Sequence, residues 1–353
     1  METTLLVGTR KGLLILREAA DEGAWRVEGP LCAAWPINHA IADAEGTIWA
    51  GGGNAWFGPA VWRLRDGAWT HSSDGLSYGE GRDPVTSVWC LAKGPGGLYA
   101  GVEPAGLFVS RDDGESWSEV RGLSDHPSRP DWQPGGGGLI LHHVLPHPDD
   151  PARIWIAIST AGVFHSGDGG ESWEPRNRGT RIDYAPEGQQ YPEVGQCVHA
   201  LAMGGGSPDR LYQQNHFGMF RSDDGGEAWE SIEAGLPSTF GFPAVGHPRD
   251  RDTLFLFPLN GDQAGRFAPE GRAAVWRTRD GGASWQDLRG GLPQENAFLT
   301  VLRQAMAVDG RDPAGVYFGS TSGALFASRD EGESWRAIAR DLPSIASVEV
   351  VPA

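Results

Sequence analysis

The histidines, a few arginines and several loop carboxylates are the groups in this chain that could do chemistry. Four short segments, INHAIA (37–42), SVWCLA (87–92), LHHVLP (141–146) and CVHALA (197–202), align so that one register holds His39, Trp89, His143 and His199. His216 follows nearby in QQNHFG. Imidazoles that face one cavity suit a divalent transition metal. His143, His199 and His216 are therefore the candidate metal ligands. The competing reading makes them hydrogen-bonded packing residues of a polar channel. No HExxH or CxxC motif decides between the two. His147 and His247 precede proline in HPDD and HPRD and are expected to be structural.

Arginines form a second constellation. Arg10 lies in TRKG, Arg272 in a long insertion and Arg303 near a late strand. Converging guanidiniums pair bidentately with a carboxylate or phosphate ligand. Ordinary ion pairs within an acidic shell are the alternative. For acid–base work, Glu193 with Tyr191 two residues before it, Asp131 and His199 form the candidate catalytic set. Glu103 and Glu295 are further carboxylates. Paired carboxylates serve glycoside hydrolysis. Trp56, Trp132, Phe57 and Phe242 could stack on sugar rings. Arg10, Arg272, Arg303, Trp56, Trp132, Gln213, Asn215 and Glu295 make up the expected substrate-binding set.

The elements that must position these groups repeat. The pattern S/T-x-D-x-G-x-x-W occurs five times, ending at Trp117, Trp173, Trp229, Trp285 and Trp335. Degenerate copies end at Trp25 (EAADEGAW) and Trp69 (LRDGAW). Two short strands precede each copy, as in GLYAG and GLFVS (97–101 and 106–110). Asp accepts backbone N–H bonds across a tight turn, and Gly takes positive φ without steric cost. The Trp opens an outer strand and packs on the hairpin. Seven such turns cannot all be active sites, so their acidic residues are expected to be scaffolding.

This pattern resembles the BNR, or Asp-box, repeat, and the resemblance covers almost the whole chain. The same fold is shared by sialidases, Vps10/sortilin-like domains and photosystem assembly propellers. The resemblance implies an all-β, seven-bladed propeller of four-stranded antiparallel blades. Residues 1–353 are expected to form one domain. SIASVEVV (344–351) is expected to supply the missing inner strand of the first blade and to remove an exposed edge. Ligand-side loops are then 54–60, 123–138, 177–196 and 258–274, of the long kind that is often functional. Sialidases use three arginines and a Tyr–Glu nucleophile pair, which Arg10, Arg272, Arg303 and Tyr191–Glu193 would echo. VGTRKG stands where their F/Y-R-I-P segment would be expected, so no catalytic residue is carried over from that family. Inner-strand histidines hold metal in some propeller lyases and oxygenases.

Composition bounds the function. The formal net charge of −17 repels phosphate backbones and anionic headgroups, which argues against nucleic-acid and membrane partners. With 52 glycines and 15 tryptophans the chain suits many short strands and packed turns, and 39% hydrophobic residues rule out a disordered profile. Cys32, Cys90 and Cys197 are too few for a disulfide framework. The start METTLLVGTR carries no basic region followed by an apolar stretch, so a cytoplasmic protein is expected. The first functional reading is a glycosidase-like hydrolase with a polar pocket at the channel mouth, acting on a carbohydrate or a small polar or anionic substrate. A binding or assembly propeller with a protein partner is the second. A metal-dependent lyase or oxidoreductase using the channel histidines is the third.

Overall fold

The computed structural model describes residues 2–19, 23–261 and 263–352. Seven four-stranded antiparallel sheets follow one another around a central axis. The second strands read as near-continuous apolar runs because both of their faces meet a neighbouring blade. Ile154–Ile158 is buried at all five positions, for example. Several outer strands are short and polar, down to the two residues of Ser118–Glu119, whereas that of the first blade, Trp25–Leu31, has seven. No helix among the described residues is long and apolar enough to cross a membrane.

The ring closes as the alternation of SIASVEVV suggests. Ile345–Val350 pairs antiparallel with Thr4–Thr9, setting Val7 opposite Val348 and Gly8 opposite Ser347. The first blade thus combines one strand from the C-terminal segment with three from the N-terminal segment. Ile345 and Val348 are fully buried at this seam. Close approach requires Gly8, where a Cβ would run into Ser347 Oγ and lie 2.8 Å from Ile37 O.

Four of the five full turn motifs share one complete hydrogen-bond pattern, and the fifth, around Asp224, lacks its last bond because Ala228 stands where the others have serine. In the first, Ser110 Oγ donates to Asp112 Oδ1 (2.7 Å) and accepts from Gly114 N (2.7 Å). Ser116 N and Ser116 Oγ donate to the two oxygens of Asp112, at 2.9 and 2.6 Å. The same bonds recur around Asp168, Asp280 and Asp330. These bonds hold the carboxyls of Asp112, Asp168 and Asp280 at about 2, below the usual range. In these four turns both carboxylate oxygens are committed to their own turn, so these acids act as scaffolding. The degenerate copy ending at Trp25 runs through residues 20–22, which lie outside the described residues.

Candidate functional site

The inner strands carry the site, and a β-bulge near the start of each decides which side chains meet. In the second to fifth blades the strand register shifts across Asn38, Trp89, His142 and His199, so each of these has no partner opposite. A bulge re-aims one side chain and moves the residues beyond it. The expected register of His39, Trp89, His143 and His199 is therefore corrected by one residue. Trp89 and His199 align with Asn38 and His142, whereas His39 and His143 share the next position with Cys90.

Three bulged side chains latch one blade to the next. Asn38 Nδ2 donates to Val88 O (2.9 Å), His142 Nε2 to Val198 O (3.0 Å) and His199 Nδ1 to Gly241 O (2.7 Å). A carbonyl only accepts, so these contacts fix both tautomers. His142 Nδ1 is left as a lone pair and accepts from His143 Nδ1 at 2.7 Å. Burial, first of all, pushes both imidazoles of this pair down, His143 to about 3. His199 is also pushed well down, by burial and then by the charge of Arg303. All three are neutral at physiological pH.

Above the bulges opens a cavity of about 530 Å³, walled by Asn38, Trp89, His142, Phe242 and Gln304. Arg10, Arg266 and Arg303 line it as well. Arg303 sits 5.0 Å from the Phe242 ring centre and Arg266 5.9 Å from it. None of the three forms an ion pair with a described residue. Burial, with Arg266 close by, lowers the Arg303 guanidinium to about 10, so it stays charged at neutral pH. Its buried Nε has no hydrogen-bond partner among the described residues. Glu103 is the one carboxylate lining this mouth among the described residues, and it accepts from Trp89 Nε1 at 3.0 Å. Gln304 Nε2 reaches across the hub from the seventh blade to His142 O on the fourth (2.7 Å). Below it lies a smaller cavity of about 230 Å³, walled in part by His39, His143 and Glu349.

Arg10 and Arg303 both line the mouth. Arg272 does not: it is half exposed and lies 3.8 Å from Glu270. Arg266, earlier in the same insertion, takes that place. A looped insertion gives no periodicity from which to read which arginine turns inward. Glu193 lies elsewhere, beside Arg176 and Arg178, and accepts from Asn177 N at 3.3 Å. Tyr191 is exposed. Asp131 and Glu295 are exposed and line no part of the mouth. Trp132 is 3% exposed and packs on Phe164, so it offers no stacking face. Gln213 and Asn215 are fully buried between blades, with Asn215 Nδ2 donating to Gln196 Oε1 (3.2 Å). Trp56 is 88% exposed in the hairpin of the second blade, next to Phe57, which stacks on Trp35. His147 and His247 each accept two backbone N–H bonds within their turns.

For a metal, the arrangement differs from the expected trio. Cys197, His199 and His216 have their ligand atoms within 4.8 Å of one another, whereas His143 is turned to His142. Cys197 carries no motif spacing that would have marked it in the sequence. Only its proximity to His199, two residues on, was visible.

No family model matches the chain. Two curated fungal proteins are similar over part of it. "Oligoxyloglucan-reducing end-specific xyloglucanase" of Emericella nidulans is 25% identical over 211 residues, covering 58% of this chain and 24% of its own length. A protein named "Probable oligoxyloglucan-reducing end-specific xyloglucanase" from Neosartorya fischeri is 30% identical over 186 residues, covering 43% of this chain and 22% of its own. The chain thus spans under a quarter of the curated relatives it matches. Among solved structures, YCF48 bound to D1 peptide superposes with a TM-score of 0.57 at 14% identity, over 86% of this chain and 81% of that one. An ancestral GH74 enzyme superposes with a TM-score of 0.57 at 15% identity, over 86% of this chain and 38% of that one. At such identities the likeness is one of fold.

Proposed function

We propose that the channel mouth binds a small anionic ligand, with a sugar acid or sugar phosphate as the ligand class. One observation carries this reading: Arg10, Arg266 and Arg303 line a single cavity with no ion pair to a carboxylate among the described residues, in a chain of net charge −17. So acidic a protein has carboxylates to spare for pairing arginines. Three unpaired guanidiniums at one hollow suit an anion held by charge-assisted, bidentate bonds. Trp89 and Phe242 supply apolar faces for a ring beside that charge. The carbohydrate part of the proposal is supported by the two xyloglucanases. Glucuronate and glucose 6-phosphate should raise the midpoint of thermal unfolding, and the effect should shrink as salt is added. Glucose should leave it unchanged. Equal effects from charged and uncharged sugars would refute the reading.

Glycoside hydrolysis is a second reading, favoured by the same two relatives. The usual mechanism needs two carboxyl groups ~5–10 Å apart. Glu103 supplies one and no second carboxylate lines the mouth among the described residues, so this reading gives Glu103 the acid–base role and requires its second carboxyl from outside the mouth. Glu103→Gln should then lower release of reducing sugar from acidic glycosides by about a hundredfold or more while ligand binding persists. Unchanged release would remove Glu103 from the chemistry.

A further inference from the structure

A separate cluster sits behind the wall of the mouth, where the fifth blade begins. Val198 pairs with Asn215, and His216 N donates to Cys197 O at 2.8 Å. Cys197 and His216 therefore stand opposite each other at the end of one strand pair, with His199 two residues along. Cys197 Sγ lies 3.7 Å from His199 Nε2. We infer that Cys197, His199 and His216 form a binding site for a d10 transition ion, Zn2+ or Cu+.

Three features support the assignment. The three ligand atoms already lie within 4.8 Å of one another. A tetrahedral ion with bonds of ~2.0 Å to nitrogen and ~2.3 Å to sulfur needs them ~3.3–3.6 Å apart, so closure is a matter of side-chain rotation. His199 Nδ1 donates to Gly241 O, which turns the Nε2 lone pair toward the sulfur. A backbone carbonyl in that role is the usual outer-shell partner of a ligating histidine. The imidazoles are also held in place. The His199 and His216 rings lie 5.2 Å apart and each packs on the Phe240 ring, at 5.2 and 5.0 Å.

The donor set selects the ion. One thiolate with two imidazoles suits soft or borderline ions and disfavours Mg2+ or Ca2+, which want oxygen. No fourth His, Cys, Asp or Glu joins the group among the described residues. Thiolate and Cu+ together are neutral, whereas thiolate and Zn2+ leave one positive charge facing Arg303. The two ions are distinguished by titrating each.

The test uses the untagged full chain, stripped with chelator and titrated with Zn2+ in air and with Cu+ under anaerobic reducing conditions. One ion per chain is expected for at least one of them, and the one that binds identifies the site's ion. Cobalt(II) serves as a spectroscopic probe and should show a sulfur-to-metal charge-transfer band. Cys197→Ser should abolish that band, and Cys197→Ser and His216→Gln should each weaken binding by about tenfold or more. Circular dichroism establishes that each variant is folded, and His216→Gln decides the matter if Cys197→Ser is not. Fewer than ~0.1 ion bound per chain for both metals, or affinity unchanged in the folded variants, would overturn the assignment.

Discussion

The imidazoles of the hub are the most informative single groups. His142, His143 and His199 are bases whose folded form refuses a proton that the unfolded chain takes up near its ordinary value of 6.5. For His143 the folded value is about 3. Between these values the unfolded state binds more protons, so stability is complete above about pH 6.5 and falls as pH falls. Differential scanning fluorimetry should show the unfolding midpoint dropping steadily below about pH 6.5, and His143→Gln should flatten the slope. Asp112, Asp168 and Asp280 behave as the usual depressed acids. Their contribution is present above about pH 4 and disappears only as pH approaches 2. A flat profile down to about pH 4 would contradict the buried-histidine account. In the turns, Ser166→Ala is expected to cost about 1–3 kcal/mol by chemical denaturation, because it strands the buried N–H of Gly170. A cost near zero would show that the serine is dispensable there.

At the scale of elements, most of the scaffold could be read in advance and most of the site could not. The second and third strands of every blade, and the mixed first blade, follow from runs such as IWIA and VFHS and from the Trp-terminated turns, since burial on both faces leaves an apolar signature. A bulge leaves no such signature. INHAIA and CVHALA look alike, yet the skipped residue is Asn38 in one and His199 in the other, and that one-residue difference decides which histidines share a cavity. Burial of polar and aromatic groups is equally hidden. Trp132 in a loop and Gln213 in the strand Ser207–Asn215 have the chemistry of ligand contacts, but packing buries both. The seam offers the sharpest test of the scaffold. Ile345→Ala should cost about 2–5 kcal/mol, and truncation before residue 345 should leave the edge of Thr4–Thr9 open and give insoluble protein. Gly8→Ala should also destabilise, because Ser347 and Ile37 leave no room for a methyl group. A truncated chain that unfolds cooperatively at the native midpoint would contradict this closure.

For the whole molecule, the ring gathers side chains from distant parts of the sequence into one hollow. Arg10 comes from the first blade, Arg266 from the sixth and Arg303 from the seventh, and these blades are neighbours around the axis. The acidic shell repels anions at long range, so the cationic character of the mouth acts only locally, at the distances where Arg10, Arg266 and Arg303 line one hollow. The most direct measurement of that claim is isothermal titration calorimetry of glucose 6-phosphate into the native chain and into Arg303→Met. Saturable one-site binding to the native chain is expected, with affinity at least tenfold weaker in the variant, equivalent to about 1.4 kcal/mol or more. Equal affinity in the two proteins, or no heat in either with glucuronate as well, would contradict it.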